Sequence, residues 1–314
     1  MEKITFQCEV ITPMFLAGAD GKTPELRPTS IKGAMRFWWR AMNGHLPLEH
    51  SNERETLRYK EAEIFGSSDE KVGKSKFSIV IPQDKVLISN NVKEYKPLPH
   101  HSGDVSCVKL PACGSRNNPN KCSKGFPLPC IPVGTGFSLD IKVKDQRIKN
   151  DVKNLFILTT ILGSFGKRSR RGFGSVKITK INDIVYNSPI SLEDIFSLLN
   201  SINTSFIINQ NSIQFTLTVN HNYPYIRAIC IGDPKSDLLK VIGDESSNNN
   251  DRALGFAEKI NRESKRMASP IYVSVIKNTQ NECIPIITTL NTAFEKGITG
   301  FNMQKQDDFR SALL

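Results

Sequence analysis

No apolar run in the 314 residues approaches the roughly 18 that a membrane-spanning helix requires, so a spanning segment is not expected. The first twenty residues carry Glu2, Glu9 and Asp20 where an export signal would be basic and then apolar, so a soluble cytoplasmic location is expected. A paired Cys-x-x-Cys knuckle is also missing. His100, His101, Cys107, Cys113, Cys122 and Cys130 come nearest to a metal set, but their cysteines are separated by five, eight and seven residues, so no metal is assigned. Seven cysteines, an odd number, without an export signal read as mostly reduced thiols. Acidic residues are the scarcer charge, 31 Asp and Glu against 42 Lys and Arg, which leaves a net charge of +11 and favours an anionic partner.

The local extreme of that imbalance is GSFGKRSRRGFGSV, residues 163–176. Lys167, Arg168, Arg170, Arg171 and Lys177 fall within it or just beyond, with no acid between them, and Gly163, Gly166, Gly172 and Gly174 are interleaved. Glycines let the main chain approach a ligand closely, so amides as well as guanidinium forks are candidates for phosphate contact. Such contacts give affinity without reading sequence. A Walker A loop does not fit, because Gly163 stands only three residues before Gly166, Arg168 follows Lys167, and the loop leads from helix to strand. A solvated basic loop without a ligand is the plainer alternative.

A second basic element is TSIKGAMRFWWRAMNG, residues 29–44. Helical spacing puts Ile31, Met35, Trp38 and Met42 on a core stripe and Lys32, Arg36 and Arg40 on another, with Trp39 beside them. The helix start at Thr29 or Ser30, the Ser30 hydroxyl and the basic stripe suit a phosphodiester backbone, against the reading that the stripe merely faces water. Trp39 and Phe173 are candidates to stack on a base.

In chain order, residues 3–11 alternate as a strand. Residues 53–65 read as a helix with a solvated charged face, and Phe77, Ile79 and Ile81 as a strand. Residues 82–132 hold eight of the 17 prolines and four of the seven cysteines, which predicts an irregular insertion forming a mobile flap. Residues 136–143 form a strand, 152–165 a buried helix and 175–181 a strand. That order is ferredoxin-like, whose open sheet face serves RNA-recognition motifs. Beyond a linker near residue 187, a helix capped by Ser191, a strand at 214–219, a flexible polar tip at 246–250, a helix at 251–266, strands at 270–277 and 283–290 and a terminal helix at 302–314 repeat a mixed pattern. The fold expected is α+β, with two ferredoxin-like (RRM-like) domains at 1–186 and 187–314.

The helix signature TSIKGAMR and the loop GKRSRRGFGS resemble the RAMP superfamily of CRISPR effector subunits. ELRPTSIKGAMRFWWRA and RMASPI, residues 266–271, resemble its branch of first subunits in the Cmr, type III-B, RNA-targeting complex. The resemblance implies two ferredoxin-like domains, no catalytic residues, no cofactor, and contact with CRISPR RNA and target RNA backbone near the 3′ end of the guide, helping to capture target RNA. It implies other Cmr subunits as partners, no membrane, and a monomer when isolated. Carried over position by position, the RNA-binding residues are Lys32, Arg36, Trp39 and Arg40 on the helix, Lys167, Arg168, Arg170 and Arg171 on the loop, and Arg266. Ser30 and Phe173 join them from the reading of the residues themselves. Two alternatives stay open: a repeat-processing endoribonuclease using His45 as base, and a scaffold whose basic surface meets acidic neighbours.

Overall fold

A computed structural model describes residues 1–18, 20, 23–69, 72–82, 130–219, 221–260, 263–294 and 298–314. Strand β1 (Glu2–Val10) buries every second residue, Ile4, Phe6, Cys8 and Val10, the spacing that puts alternate side chains on one face of a pleat. Helix α1 (Pro28–Met42) begins with Pro28 in its first turn, where a missing N–H is harmless, and buries Ile31, Met35, Trp38, Trp39 and Met42. The segment read as one helix at 53–65 divides: a short 3-10 turn at Glu53–Glu55 stops at Thr56, whose hydroxyl caps helix α2 (Leu57–Phe65) by accepting from the Tyr59 amide at 3.2 Å. Strands β2 (Phe77–Val80) and β3 (Gly136–Val143), helix α3 (Lys149–Leu162), strand β4 (Val176–Ile181) and the short β5 (Ile184–Val185) complete the first half.

These strands form an antiparallel sheet in the order β2-β3-β1-β4-β5, the ferredoxin-like arrangement with one added edge strand. Its helix-free face carries Lys3, Thr5, Gln7, Ser138, Asp140 and Lys142, with Lys3 paired to Asp140 at 3.6 Å. None of these is aromatic, so that face lacks the stacking rings of an RNA-recognition motif. The insertion read at 82–132 falls largely outside the described residues.

The second half runs α4 (Leu192–Asn200), β6 (Phe206–Asn209), β7 (Ser212–Phe215), β8 (Ile226–Ile231), α5 (Leu238–Asn248), β9 (Phe256–Ile260), β10 (Glu263–Met267), β11 (Ile271–Lys277), β12 (Cys283–Leu290) and α6 (Gln304–Ser311). Its sheet order is β11-β12-β8-β7-β6. Strand β8, helix α5, strands β11 and β12 and helix α6 follow the ferredoxin-like path. The place beside β8 that a final strand would take is filled by β7, which precedes β8 in the chain. The helix expected at 251–266 is instead the separate hairpin β9–β10, with Glu263 opposite Ile260 and Met267 opposite Phe256. The polar tip expected at 246–250 is the end of α5, where the Asn249 amide donates to the Glu245 carbonyl at 3.2 Å.

Strand β11 is buried on both faces. Tyr272 and Ile276 point into the core shared with α1 and α3, while Ile271, Val273 and Val275 point to a second core with Ile242 of α5 and Phe309 of α6. The apolar core of the first sheet therefore runs through α3 to Tyr272, Ile284 and Ile286 without a break. The Ser274 hydroxyl, buried at that boundary, donates to the Ile161 carbonyl of α3. No helix among the described residues is long and apolar enough to cross a membrane.

Candidate nucleic-acid interface

The glycine-rich loop leaves α3 and returns into β4, and its geometry is set by main-chain hydrogen bonds. Phe165 N–H donates to the Gly174 carbonyl at 2.9 Å, Gly174 N–H to Pro13 at 2.9 Å, Lys167 N–H to Phe15 at 2.9 Å and Gly172 N–H to Val273 at 2.8 Å. These amides, read as phosphate donors, are taken up by carbonyls. At Gly174, φ is +76° and a Cβ would lie 1.9 Å from the Phe165 carbonyl oxygen, so only glycine fits. The glycines are there to let three strands of backbone lie close together.

Two of the loop's guanidiniums hold the halves of the molecule together. Arg170 donates to the Ser269 carbonyl and lies over the rings of Phe37 and Tyr272, at 5.7 and 5.5 Å. Arg171 donates to the carbonyls of Arg170 (3.1 Å) and Ile271 (3.2 Å) and to the Ser269 hydroxyl (3.2 Å), with its guanidinium 5.1 Å from the Phe309 ring. Burial, then repulsion from Arg170 and Arg168, pushes the Arg171 guanidinium down to about 10. Burial also lowers Arg170 and Arg168. Phe173 is 6% exposed and packs on Phe15, which withdraws it as a base-stacking ring.

The α1 stripe is likewise engaged. Lys32 donates to Ser75 Oγ at 2.7 Å and lies over Phe77; burial, Arg36 and Lys144 lower its pKa. Arg36 donates to the Gly66 carbonyl at 3.0 Å and pairs with Glu61. Arg40 pairs with the same carboxylate and donates to Tyr223 Oη at 2.8 Å; burial opposes its charge, but these two partners outweigh it and raise its pKa. Glu61, on the face of α2 read as solvated, is 3% exposed. Sequence reasoning missed it because the charged face of that helix reads as solvated. Trp39 is 7% exposed and belongs to the core beside Trp38, so it too presents no open ring. Ser30 is half-buried in the first turn of α1, Gly33 beyond it faces open space, and no side chain caps the helix.

Helix and loop do meet. A Cβ at Gly163 would lie 2.1 Å from Trp38 Nε1, and Arg170 covers Phe37. They meet by packing on each other and on β11, where Arg170 and Arg171 form the joint, while Lys32, Arg36 and Arg40 are engaged with Ser75, Glu61 and Tyr223. Lys167 and Arg266 are exposed, as is Lys259 on β9, and Arg168 is half-buried at φ +63°. Arg168 lines a cavity of about 760 Å³ together with Ala257 of β9, opposite which Arg266 stands in β10. The loop tip and the basic hairpin thus share one region.

His45 is exposed just past α1. Its Nδ1 lies 3.1 Å from Asn203 Nδ2, which also donates to the Met42 carbonyl, and burial lowers its pKa. Of the cysteine and histidine set, His100, His101, Cys107, Cys113 and Cys122 lie outside the described residues, and Cys130 is buried with Phe15 and Phe173. Among the described residues no three His, Cys, Asp or Glu side chains gather as metal ligands.

A family model of the RAMP superfamily matches residues 7–177. Two curated proteins of Pyrococcus furiosus are similar in sequence. CRISPR system Cmr subunit Cmr1-2 is 30% identical over 192 residues, 59% of this chain and 100% of that protein. Cmr subunit Cmr1-1 is 32% identical over 185 residues, 57% of this chain and 48% of that protein. In three dimensions the apo crystal structure of Cmr1 from the same organism matches at a TM-score of 0.61 with 20% identity, covering 100% of this chain and 97% of that one. A chain of a type III-B Cmr-beta complex bound to cognate target RNA matches at 0.58 with 12% identity, covering 99% of each.

Proposed function

The chain belongs to the RAMP superfamily, and from that premise we propose that it is the first subunit of a type III-B Cmr effector complex, a non-catalytic subunit that grips RNA backbone. Its ligands are CRISPR RNA and target RNA near the 3′ end of the guide, and its neighbours are other Cmr subunits. The likeness of the whole fold to a chain of an RNA-bound Cmr complex supports this reading. The observation that carries it is that Arg168 of the loop tip lines one cavity with Ala257 of β9, opposite which the exposed Arg266 stands in β10, with the exposed Lys167 and Lys259 one and two residues along the chain. These cations are the backbone contacts of the proposal, with Ser30 at the open start of α1. The half-buried cations Lys32, Arg36, Arg40, Arg170 and Arg171, engaged by groups of the protein itself, shape the surface from within.

Sequence choice in such a complex belongs to guide pairing, and the protein holds the paired strands by shape and charge. Filter binding of guide and target RNA over a series of salt concentrations tests the assignment. Each lost contact to a single strand flattens the slope of log K against log salt by about 0.7. A triple Ala variant at Lys167, Arg168 and Arg266 that keeps the wild-type slope defeats it.

The scaffold role is compatible, and one observation favours it alongside. Ile184 and Val185 on edge strand β5 are 74% and 72% exposed, an apolar pair on an unpaired sheet edge. For the endoribonuclease, incubation with repeat RNA decides: a product formed by the wild type and lost in His45→Ala would favour the enzyme.

A further inference from the structure

The hairpin β9–β10 belongs to neither large sheet, and a two-stranded hairpin alone is marginal in water, so what fixes its direction lies outside it. Opposite residues of an antiparallel pair share a face, and successive residues alternate between faces. Ala257 stands opposite Arg266 and Lys259 opposite Ser264, which puts these four, all exposed, on one face. The other face carries Phe256 opposite Met267 and Glu258 opposite Lys265, all half-buried. The cations assigned to RNA therefore lie on the outer face of the hairpin, and the Glu258 carboxylate on the inner one.

That carboxylate is held by a fork. Arg252 donates from Nε to Glu258 Oε1 at 2.6 Å and from Nη2 to Oε2 at 3.0 Å, a two-point grip that sets angle as well as distance. The 3-10 turn that carries Arg252, Arg252–Leu254, and its cap Asp251 are tied in turn to three other parts of the fold. Asp251 Oδ1 accepts from the Asn302 amide at 2.8 Å, and Arg252 donates to the Thr299 carbonyl, which secures the segment before α6. The Ala253 carbonyl accepts from Gln306 of α6 at 2.6 Å, and the Leu254 carbonyl from Arg171 of the glycine-rich loop at 3.4 Å. The foot of the hairpin is tight as well: at Gly255 φ is +100°, and a Cβ there would lie 2.7 Å from the Ser269 amide nitrogen. One turn thus grips the hairpin on one side and the glycine-rich loop on the other.

We propose that Arg252 and Glu258 are positioning residues for RNA binding: their fork aims the face bearing Lys259 and Arg266 at the strand that the loop tip meets, and neither of the two is itself a ligand. The proposal rests on the RNA-binding reading above and adds to it the residues that orient the hairpin. Its signature is opposite in sign to simple electrostatics. Taking an acid from a surface that binds a polyanion, and freeing an arginine there, ordinarily tightens binding. Here the same change loosens it, because the two outer cations lose their aim.

The test is filter binding of a single-stranded guide RNA by the whole chain, at about 0.1 M salt and over a salt series. Each lost single-strand contact flattens the slope by about 0.7, which at about 0.1 M salt is about a 5-fold loss of affinity. Glu258→Gln is expected to cost one to two contacts, about 5- to 25-fold in affinity and about 0.7 to 1.4 in slope. Because the paired side chains are 33% and 35% exposed, the melting midpoint should fall by less than about 3 °C. Exchanging the pair, Arg252→Glu with Glu258→Arg, should recover the affinity. In a chain that already carries Lys259→Ala and Arg266→Ala, Glu258→Gln should change nothing further. Wild-type or tighter binding by Glu258→Gln would overturn the proposal while the cationic RNA surface stood, and so would a further loss in the Lys259→Ala, Arg266→Ala background. A slope flattened in Arg252→Gln but not in Glu258→Gln would make Arg252 a ligand and defeat it too. No affinity of the wild type for RNA would bring down the RNA-binding reading and this proposal together.

Discussion

Replacing Arg171 by Ala is expected to destabilise the protein by about 3 kcal/mol and to leave its RNA salt dependence alone. Arg171 makes four hydrogen bonds: three of 3.1–3.2 Å, to two carbonyls and one hydroxyl, which carry most of the energy, and a longer one of 3.4 Å to the Leu254 carbonyl. Bonds that involve a charged group contribute about 1.5–3 kcal/mol each, so the three together give roughly 4.5–9 kcal/mol. Against this stands the burial of the charge. The fall of its pKa from the ordinary guanidinium range to about 10, at about 1.4 kcal/mol per unit, amounts to roughly 3 kcal/mol. The difference, centred on a few kcal/mol, is what Ala forfeits, together with carbonyls of the loop and β11 left without their donor. In a chain of this size that lowers the unfolding midpoint by about 6 °C. Lys in its place recovers less than half, because an ammonium cannot present the planar fork that meets separate oxygens. Thermal unfolding read beside a filter-binding salt series decides. An unchanged midpoint with a slope flattened by about 0.7 would mean that Arg171 turns to phosphate, and the joint described here would be wrong.

Lys167→Ala should show the opposite pattern, a flatter salt slope with an unchanged melting midpoint, since Lys167 is exposed at the loop tip. Gly174→Ala forces a Cβ to 1.9 Å from a carbonyl oxygen at φ +76° and is expected to lose more than about 3 kcal/mol, seen as a depressed urea midpoint or loss of soluble protein. Glu61→Gln leaves Arg36 and Arg40 without their shared carboxylate; because those side chains are 41% and 32% exposed, the loss is about 2 kcal/mol by urea unfolding, below the 3–5 kcal/mol or so of a fully buried pair. Ile184→Lys with Val185→Lys should keep the melting midpoint and reduce incorporation into a reconstituted Cmr complex, and full incorporation would dismiss β5 as a subunit contact.

Much of the fold was legible from period alone. Alternation marks β1 and β3 because one face of each is buried and the other wet. The basic loop and the double-tryptophan helix were legible as the two cationic elements of the chain, yet their chemistry was not. A run of arginines shows that anions or carbonyls must lie near, and sequence cannot distinguish phosphate from the carbonyls of Ser269 and Ile271. Those acceptors are about a hundred residues away and become neighbours only when β11 docks. Glu61 was hidden for a similar reason, since a carboxylate on a charged helix reads as solvated until a basic stripe closes over it. The hairpin β9–β10 was taken for a helix because Arg252, Lys259, Arg266 and their neighbours imitate a cationic stripe. The signal against it was Gly255, at φ +100°, immediately before the alternating Phe256–Ile260.

The unbroken apolar mass from β1 through α3 to β11 bears on how a polymer could enter. Two lobes joined by a thin stalk can gape and shut around a strand, but lobes fused over a common interior cannot part without exposing Tyr272, Ile276 and Ile286 to water. Whatever adjusts when RNA arrives must therefore be peripheral: the tip at Lys167 and the separate hairpin β9–β10. The body acts as an anvil, and the strand is shaped against it.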